Sequence, residues 1–205
     1  MNYNEYRGVR KLVVAEVTKD DGTDYVAENW QELSGVQSIA RSTTESSEAH
    51  YYDNLAAIVI DSEGADEITL TVSVLANKTR ALIDGVEYEE TNDMLVGTPR
   101  NKKYFALGYI GGKTDGTEEV NIFYKGKFSG GQETVNTKDD GTEATNVEYT
   151  FTAIHTVTKI YGEKQVKSVK VPLGTKVTEN AVFGTFTDGT STTDVLTPDD
   201  IKALA

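Results

Sequence analysis

Residues Tyr51 to Gly85 read YYDNLAAIVIDSEGADEITLTVSVLANKTRALIDG, and their pattern sets the fold class. Ile68, Leu70, Val72 and Val74 alternate with Thr69, Thr71 and Ser73, the period-two signature of a strand with one apolar face and one hydroxyl-bearing face. A short helix is expected next, from Asn77 to Asp84, with Asn77 at its N-cap and Gly85 supplying the left-handed residue that ends it. Ahead of the strand, Tyr51 and Tyr52 are adjacent. Neighbouring residues of a strand point to opposite faces, so one of the two tyrosines has to leave the core.

Working outward, strands are expected at Lys11 to Thr18, Tyr25 to Ala27, Gly35 to Arg41, Ala56 to Asp61, Glu67 to Ala76, Lys103 to Ile110, Glu119 to Phe128 and Val147 to Ile160. Turn chemistry sits between them at Asp20-Asp21-Gly22, Thr114-Asp115-Gly116-Thr117, Asp139-Asp140-Gly141 and Asp188-Gly189, where Gly supplies the positive φ of tight turns. The hairpin around Thr114 to Thr117 is the best specified, with Tyr104, Phe105, Tyr109, Ile110, Val120, Ile122, Phe123 and Tyr124 available for cross-strand packing. The chain is expected to be mainly β, an antiparallel sandwich or barrel with one short helix. Two polar stretches, Ser42 to Glu48 and Gly130 to Asn146, read as long loops. Connections in compact domains run to only about 4 to 6 residues, so loops of this size are expected to be contact surfaces or mobile.

Composition shifts after Glu163 toward Thr, Gly and Asp with fewer aromatics. This predicts a β domain over residues 1–163 and a C-terminal extension over 164–205 that ends in a short helix. Thr197 is the hydroxyl cap of that helix, Pro198 its first residue, and Asp199 and Asp200 its first-turn acids.

The 205 residues hold no Cys, 20 Lys and Arg, and 33 Asp and Glu, for a formal charge of −13. The absence of thiols rules out disulfides, thiolate metal sites and a cysteine nucleophile. The acidity argues against gripping nucleic acid, because phosphate binding needs Lys and Arg to displace counterions; it also serves simple solubility. No apolar run approaches the roughly 18 residues of a membrane span, and the first residues lack a signal-peptide core, so neither a membrane protein nor one secreted by that route is expected.

Catalytic patterns are incomplete throughout. His50 and His155 lie far apart without metal-ligand spacing; His155 is expected inside a strand and His50 at the start of a loop. No Ser lies in a G-x-S-x-G elbow. Gly111-Gly112-Lys113-Thr114 lacks the earlier Gly of a phosphate loop and fits a hairpin turn better. The acids Asp61, Glu63, Asp66 and Glu67 break calcium-loop register and read as a solvated face. Glu87, Glu89 and Glu90 read the same way. Trp30 and the tyrosines could stack on sugars, but most fit strand packing with an outward hydroxyl.

Order and spacing over residues 7–160 resemble the major tail proteins of long-tailed phages that infect Gram-positive bacteria. The resemblance rests on the strand Lys11 to Thr18, on WQELSGV (Trp30 to Val36), and on the Ser/Thr/Glu stretch followed by YYDN and EITLTVSVLANKTRALIDG. It continues through Pro99 to Gly131 (PRNKKYFALGYIGGKTDGTEEVNIFYKGKFSGG) and Val147 to Thr156 (VEYTFTAIHT). It implies a structural virion protein, assembled in the host cytoplasm, whose hexameric rings stack into the tail tube through which DNA leaves the capsid. It implies no enzymatic activity and no cofactor. Its implied partners are further copies of itself, the tape measure, the tail terminator and the distal tail or baseplate, with DNA passing unbound and no membrane involved. The family fold is a β-sandwich whose sheets join between subunits into an inner barrel, with loops reaching the next ring. Acidic residues on the lumen would then repel phosphate. On that reading the candidate ring contacts are Thr43, Glu45, Glu48, Tyr51, Tyr52, Asp53, Asp139 and Asp140, and residues 164–205 become an outer decoration or an inter-ring arm. Two other readings compete: a carbohydrate-binding or adhesive β-sandwich module, and a β-rich enzyme without a recognisable nucleophile, base or metal set.

Overall fold

A computed structural model describes residues 4–33, 35–52, 55–133, 135 and 146–204. In chain order the strands and helices are β1 (Tyr6–Asp20), β2 (Tyr25–Glu32), β3 (Val36–Tyr52), β4 (Leu55–Val72), α1 (Asn77–Asp84), β5 (Glu87–Glu89), β6 (Met94–Val96), β7 (Phe105–Lys113), β8 (Glu118–Gln132), β9 (Val147–Ala153), β10 (Lys159–Tyr161), β11 (Lys164–Gln165), β12 (Ser168–Pro172), α2 (Glu179–Phe183), β13 (Phe186–Thr187), β14 (Thr190–Ser191) and α3 (Pro198–Leu204). The molecule is mainly β and its pairings are antiparallel. Three helices are present among the described residues where one internal and one terminal helix were expected. None of them is long and apolar enough to cross a membrane.

Ten strands form one sheet in the order β13-β14-β2-β1-β7-β8-β9-β4-β3, with β12 alongside β8. The sheet curls, so that β3 at its far edge comes back toward β1. Both faces of its middle strands are buried, which explains the unbroken apolar runs there. On β1, Leu12 and Val14 enter a first core with Ile68, Leu70, Val72, Phe105, Leu107 and Phe151. Val13 and Ala15 point the other way, into a second core with Trp30, Ile122, Tyr124, Val182, Phe183 and Ile201. Phe128 joins the first core through an edge contact with Phe105 at 5.6 Å and a tilted one with Phe151 at 4.9 Å. Such aromatic pairs add roughly 0.5–1.5 kcal/mol beyond the area they bury. Gly126 lets Phe151 come this close, since a Cβ there would sit 2.5 Å from its ring.

The second core corrects the expected division at Glu163. Strand β12 adds to β8 with Ser168 opposite Phe123 and Pro172 opposite Glu119. Val177, Val182, Phe183, Val195 and Ile201, all beyond that point, are buried against Trp30 and Tyr124. The change in composition marks a change from strands to short turns and helices, not a packing boundary.

Local signals hold where their chemistry was explicit. Asp188 and Gly189 have φ of 50° and 74° and join β13 to β14 as a two-residue turn, as Asp-Gly favours. In the Thr114 to Thr117 turn, the Lys113 N–H donates to the Thr117 carbonyl at 2.9 Å. Thr197 and Asp200 cap α3 reciprocally: the Asp200 N–H donates to Thr197 Oγ1 at 3.2 Å, and the Thr197 N–H to Asp200 Oδ2 at 2.9 Å. Gly85 ends α1 at φ 67°, ψ 37°. The N-cap of α1 is Ala76 rather than Asn77, because the Asn77 side chain donates instead to the Asp93 carbonyl at 2.8 Å. Strand ends moved too. The expected strands Ala56 to Asp61 and Glu67 to Ala76 are one strand that stops at Val72, and Val147 to Ile160 divides at Ala153.

Candidate functional site

The stretch Ser42 to Glu48 is not a loop. It continues β3, paired with β4 across two register shifts: Ser42 with Glu67, Thr43 with Asp66, Glu45 with Glu63, Glu48 with Ile60 and Tyr52 with Leu55. Strand β4 has β9 as its second neighbour only from Asp66, opposite Ala153, to Val72, opposite Val147. Beyond Asp66 the hairpin leaves the sheet as a two-stranded arm. At about 3.3 Å per residue the nine steps from Thr43 to Tyr52 extend some 30 Å. Polar Ser and Thr residues concealed it, because β-branched and hydroxyl side chains suit an exposed ladder as well as a loop. Of the expected contact residues, Thr43, Glu45 and Glu48 are exposed on this arm, and Tyr51 and Tyr52 are the last residues of β3. Asp53, Asp139 and Asp140, and most of the expected loop Gly130 to Asn146, lie outside the described residues. His50 is in β3 opposite Ile58. His155 follows β9 as an exposed residue, not a strand residue.

The arm's far half is apolar and uncovered. Leu55, Ile58, Val59 and Ile60 are between 51% and 72% exposed. The register shift between His50 and Tyr51 puts Leu55, opposite Tyr52, on the strand face of Ile58 and Ile60, while Val59, opposite Ala49, takes the other. An ordinary half-buried strand hides one of its faces; here both meet solvent. An exposed edge of this kind is a template for association.

A buried ionic cluster holds the arm's root. Asp66, fully buried, accepts from Arg41 Nε at 2.9 Å and from Arg41 Nη2 at 2.5 Å. Its other oxygen, Oδ1, faces Lys167 Nζ at 3.2 Å. Lys167, itself buried, also donates to the Gly64 carbonyl at 2.9 Å and to Glu63. The hydrogen bond and charge of Lys167 hold the Glu63 carboxyl below its ordinary range. This corrects the reading of Asp61 to Glu67 as a solvated face, since one acid of the run is the anchor of the cluster. No spacing in the sequence could have paired Asp66 with a lysine a hundred residues away.

A second cluster closes the sheet beside β12. The Glu119 carboxyl, nearly buried, accepts from Tyr6 and meets Lys113 at 2.6 Å and Lys170 at 3.1 Å. Burial pushes its pKa up, but the donors of Lys113, Tyr6 and Lys170 outweigh that and lower it to about 2. On the opposite side, Asp20 accepts from Lys125 at 2.6 Å and from the N–H of Thr158 at 2.8 Å. Those bonds hold its carboxyl below the usual value against the upward push of burial.

A cleft of about 850 Å³ lies where β1, β2 and α1 meet and is lined in part by Arg10, Lys11, Lys78 and Glu32. Its cations are engaged: Arg10 with Glu118 at 2.7 Å and Glu179 at 2.6 Å, Lys78 with Glu90 at 3.5 Å, and Lys11 with Glu32. No His, Ser or Cys among the described residues lines it. Among the described residues no three of His, Cys, Asp and Glu group as metal ligands. Trp30, a possible sugar platform by residue type, is fully buried edge-on to Phe183 at 5.2 Å. The arm and its clamped root are therefore the feature of the described residues most suited to contact with another molecule. No family model matches the chain, and no curated protein matches it.

Proposed function

We propose that this chain is a structural assembly protein, and that its copies associate into hexameric rings that stack as a phage tail tube. The observation that carries the reading is the β3–β4 arm, an apolar-tipped hairpin exposed on both faces and rooted in a buried ionic cluster. A rigid root and an uncovered tip suit an element whose partner lies outside the molecule. Strand β3 also has β4 as its sole ladder partner among the described residues, leaving a long free edge that ring closure would satisfy. The net charge of −13 per chain suits a conduit from which DNA phosphates must slide free.

The test is direct. Sedimentation velocity and negative-stain microscopy on the purified chain, over rising concentration, are expected to show rings or tubes. A double variant, Ile58→Asp with Ile60→Asp, is expected to keep its thermal transition and lose assembly. A chain that stays monomeric throughout, or a double variant that assembles normally, would overturn the reading.

A further inference from the structure

We infer that the arm tip of one copy docks in the groove between β12 and α3 of another, adding a strand to the free edge of β12. The inference rests on the assembly reading and names its receiving surface. The groove, about 340 Å³, is lined by Val166, Val169, Val171 and Ile201 with Lys170 and Lys202. Consecutive residues Ser168 to Val171 all line it, although alternate residues of a strand point to opposite faces. A cavity that meets both faces of a strand runs along its edge. That edge is open, because β8 is the one strand that pairs with β12 among the described residues.

Shape, hydrogen bonding and charge agree. The tip supplies Ile58 and Ile60 on one face for an apolar groove, and the extended backbone of β4, paired only with β3 beyond Asp66, has a free ladder edge. Strand addition of this kind takes its affinity from main-chain bonds and its specificity from side chains in pockets. From Ser42 to Glu63 the arm carries five acids and no Lys or Arg. Among the described residues Glu45, Glu48 and Asp61 form no ion pair. The charged groups lining the groove are two lysines: Lys170 is engaged by Glu119 at 3.1 Å, and Lys202, exposed in the last turn of α3, forms no ion pair among the described residues. An anionic apolar strand and a cationic apolar groove are complementary. Among the described residues no arm residue of the same copy lines the groove.

The chain has no cysteine, so cross-linking between single-cysteine variants reports one contact at a time. Val59→Cys is mixed with a size-tagged Lys202→Cys chain under mild oxidation, and in parallel with a tagged Lys78→Cys chain placed at the large cleft. All three positions are exposed, so folding is not at risk. A disulfide needs Cα atoms within about 7 Å, so the Val59–Lys202 pair is expected to give about tenfold more mixed dimer than the Val59–Lys78 pair. Sedimentation of the unmodified chain runs beside it. Assembly with equal cross-linking at both positions, or with preference for Lys78, overturns the groove while leaving the assembly reading intact. Absence of assembly overturns both.

Discussion

The two ends of the β3–β4 hairpin are built from similar residues and meet opposite fates. At the root, Ile68, Leu70 and Val72 have no exposed surface, while at the tip Ile58, Val59 and Ile60 are more than half exposed. The β3–β4 ladder runs through both, with register shifts between Thr43 and Glu45 and between His50 and Tyr51. What differs is the second layer. Root residues face β1, β7 and α1 across the first core, whereas tip residues have left the sheet. An unbroken apolar run such as LAAIVI (residues 55–60) normally indicates a strand buried on both faces. Here it indicates one whose covering layer belongs to another molecule, under the function proposed.

The most severe way to break the comparison is to delete residues 164–205. This removes Val177, Val182, Phe183, Val195 and Ile201 from the second core, and Lys167 from the arm's root. We expect loss of the cooperative unfolding transition and of near-ultraviolet circular dichroism. A deletion that still melts cooperatively would restore the view of this segment as an appendage. Next, Leu70→Ala at the root should cost about 3 kcal/mol in urea unfolding, in the range of buried leucine truncations.

Asp66→Asn leaves Arg41 and Lys167 without their shared anion and should cost about 3 kcal/mol, as removal of one partner of a buried ion pair does. It should also weaken amide protection through Glu45 to Glu63. Unchanged exchange there would mean that the root does not stiffen the arm.

Glu119 offers a pH test away from the hairpin. Its folded pKa, about 2, is below the ordinary 4.5, so its contribution is complete above pH 4.5 and is lost as pH falls from there toward 2. The shift corresponds to roughly 3 kcal/mol at most. Glu119→Gln should lower stability at neutral pH and flatten the acid limb in that window; an unchanged limb would assign acid sensitivity elsewhere. The smallest effect is expected at the tip, where Ile60→Ala should alter monomer stability by less than about 0.5 kcal/mol, as exposed substitutions do. A loss near the Leu70 value would show that the tip is covered within its own chain.

Much of the fold was legible because its signals are local. Alternation from Ile68 to Val74 located a strand, Gly85 the end of α1, Asp188-Gly189 a hairpin, and Thr197-Pro198-Asp199-Asp200 the start of α3. Each depends on residues within one turn or one pleat of each other. Errors arose where distant partners decide. Ser42 to Glu48 looked like a loop because nothing in its composition shows that β4 runs opposite. Residues after Glu163 looked detached because their burial depends on Trp30 and Tyr124. Asp66 looked solvated because Arg41 and Lys167 converge on it only in the folded chain.

The sequence by itself determined the antiparallel β character, the turn positions, the acidity and the lack of thiol chemistry, all properties of composition or of short-range stereochemistry. Tertiary structure alone decided that the hairpin projects, that its root is clamped by an ionic cluster, and that a lysine-bearing groove lies open beside β12. These depend on which strands find a second neighbour and which charges are buried together, and both are settled by contacts between residues far apart in the chain.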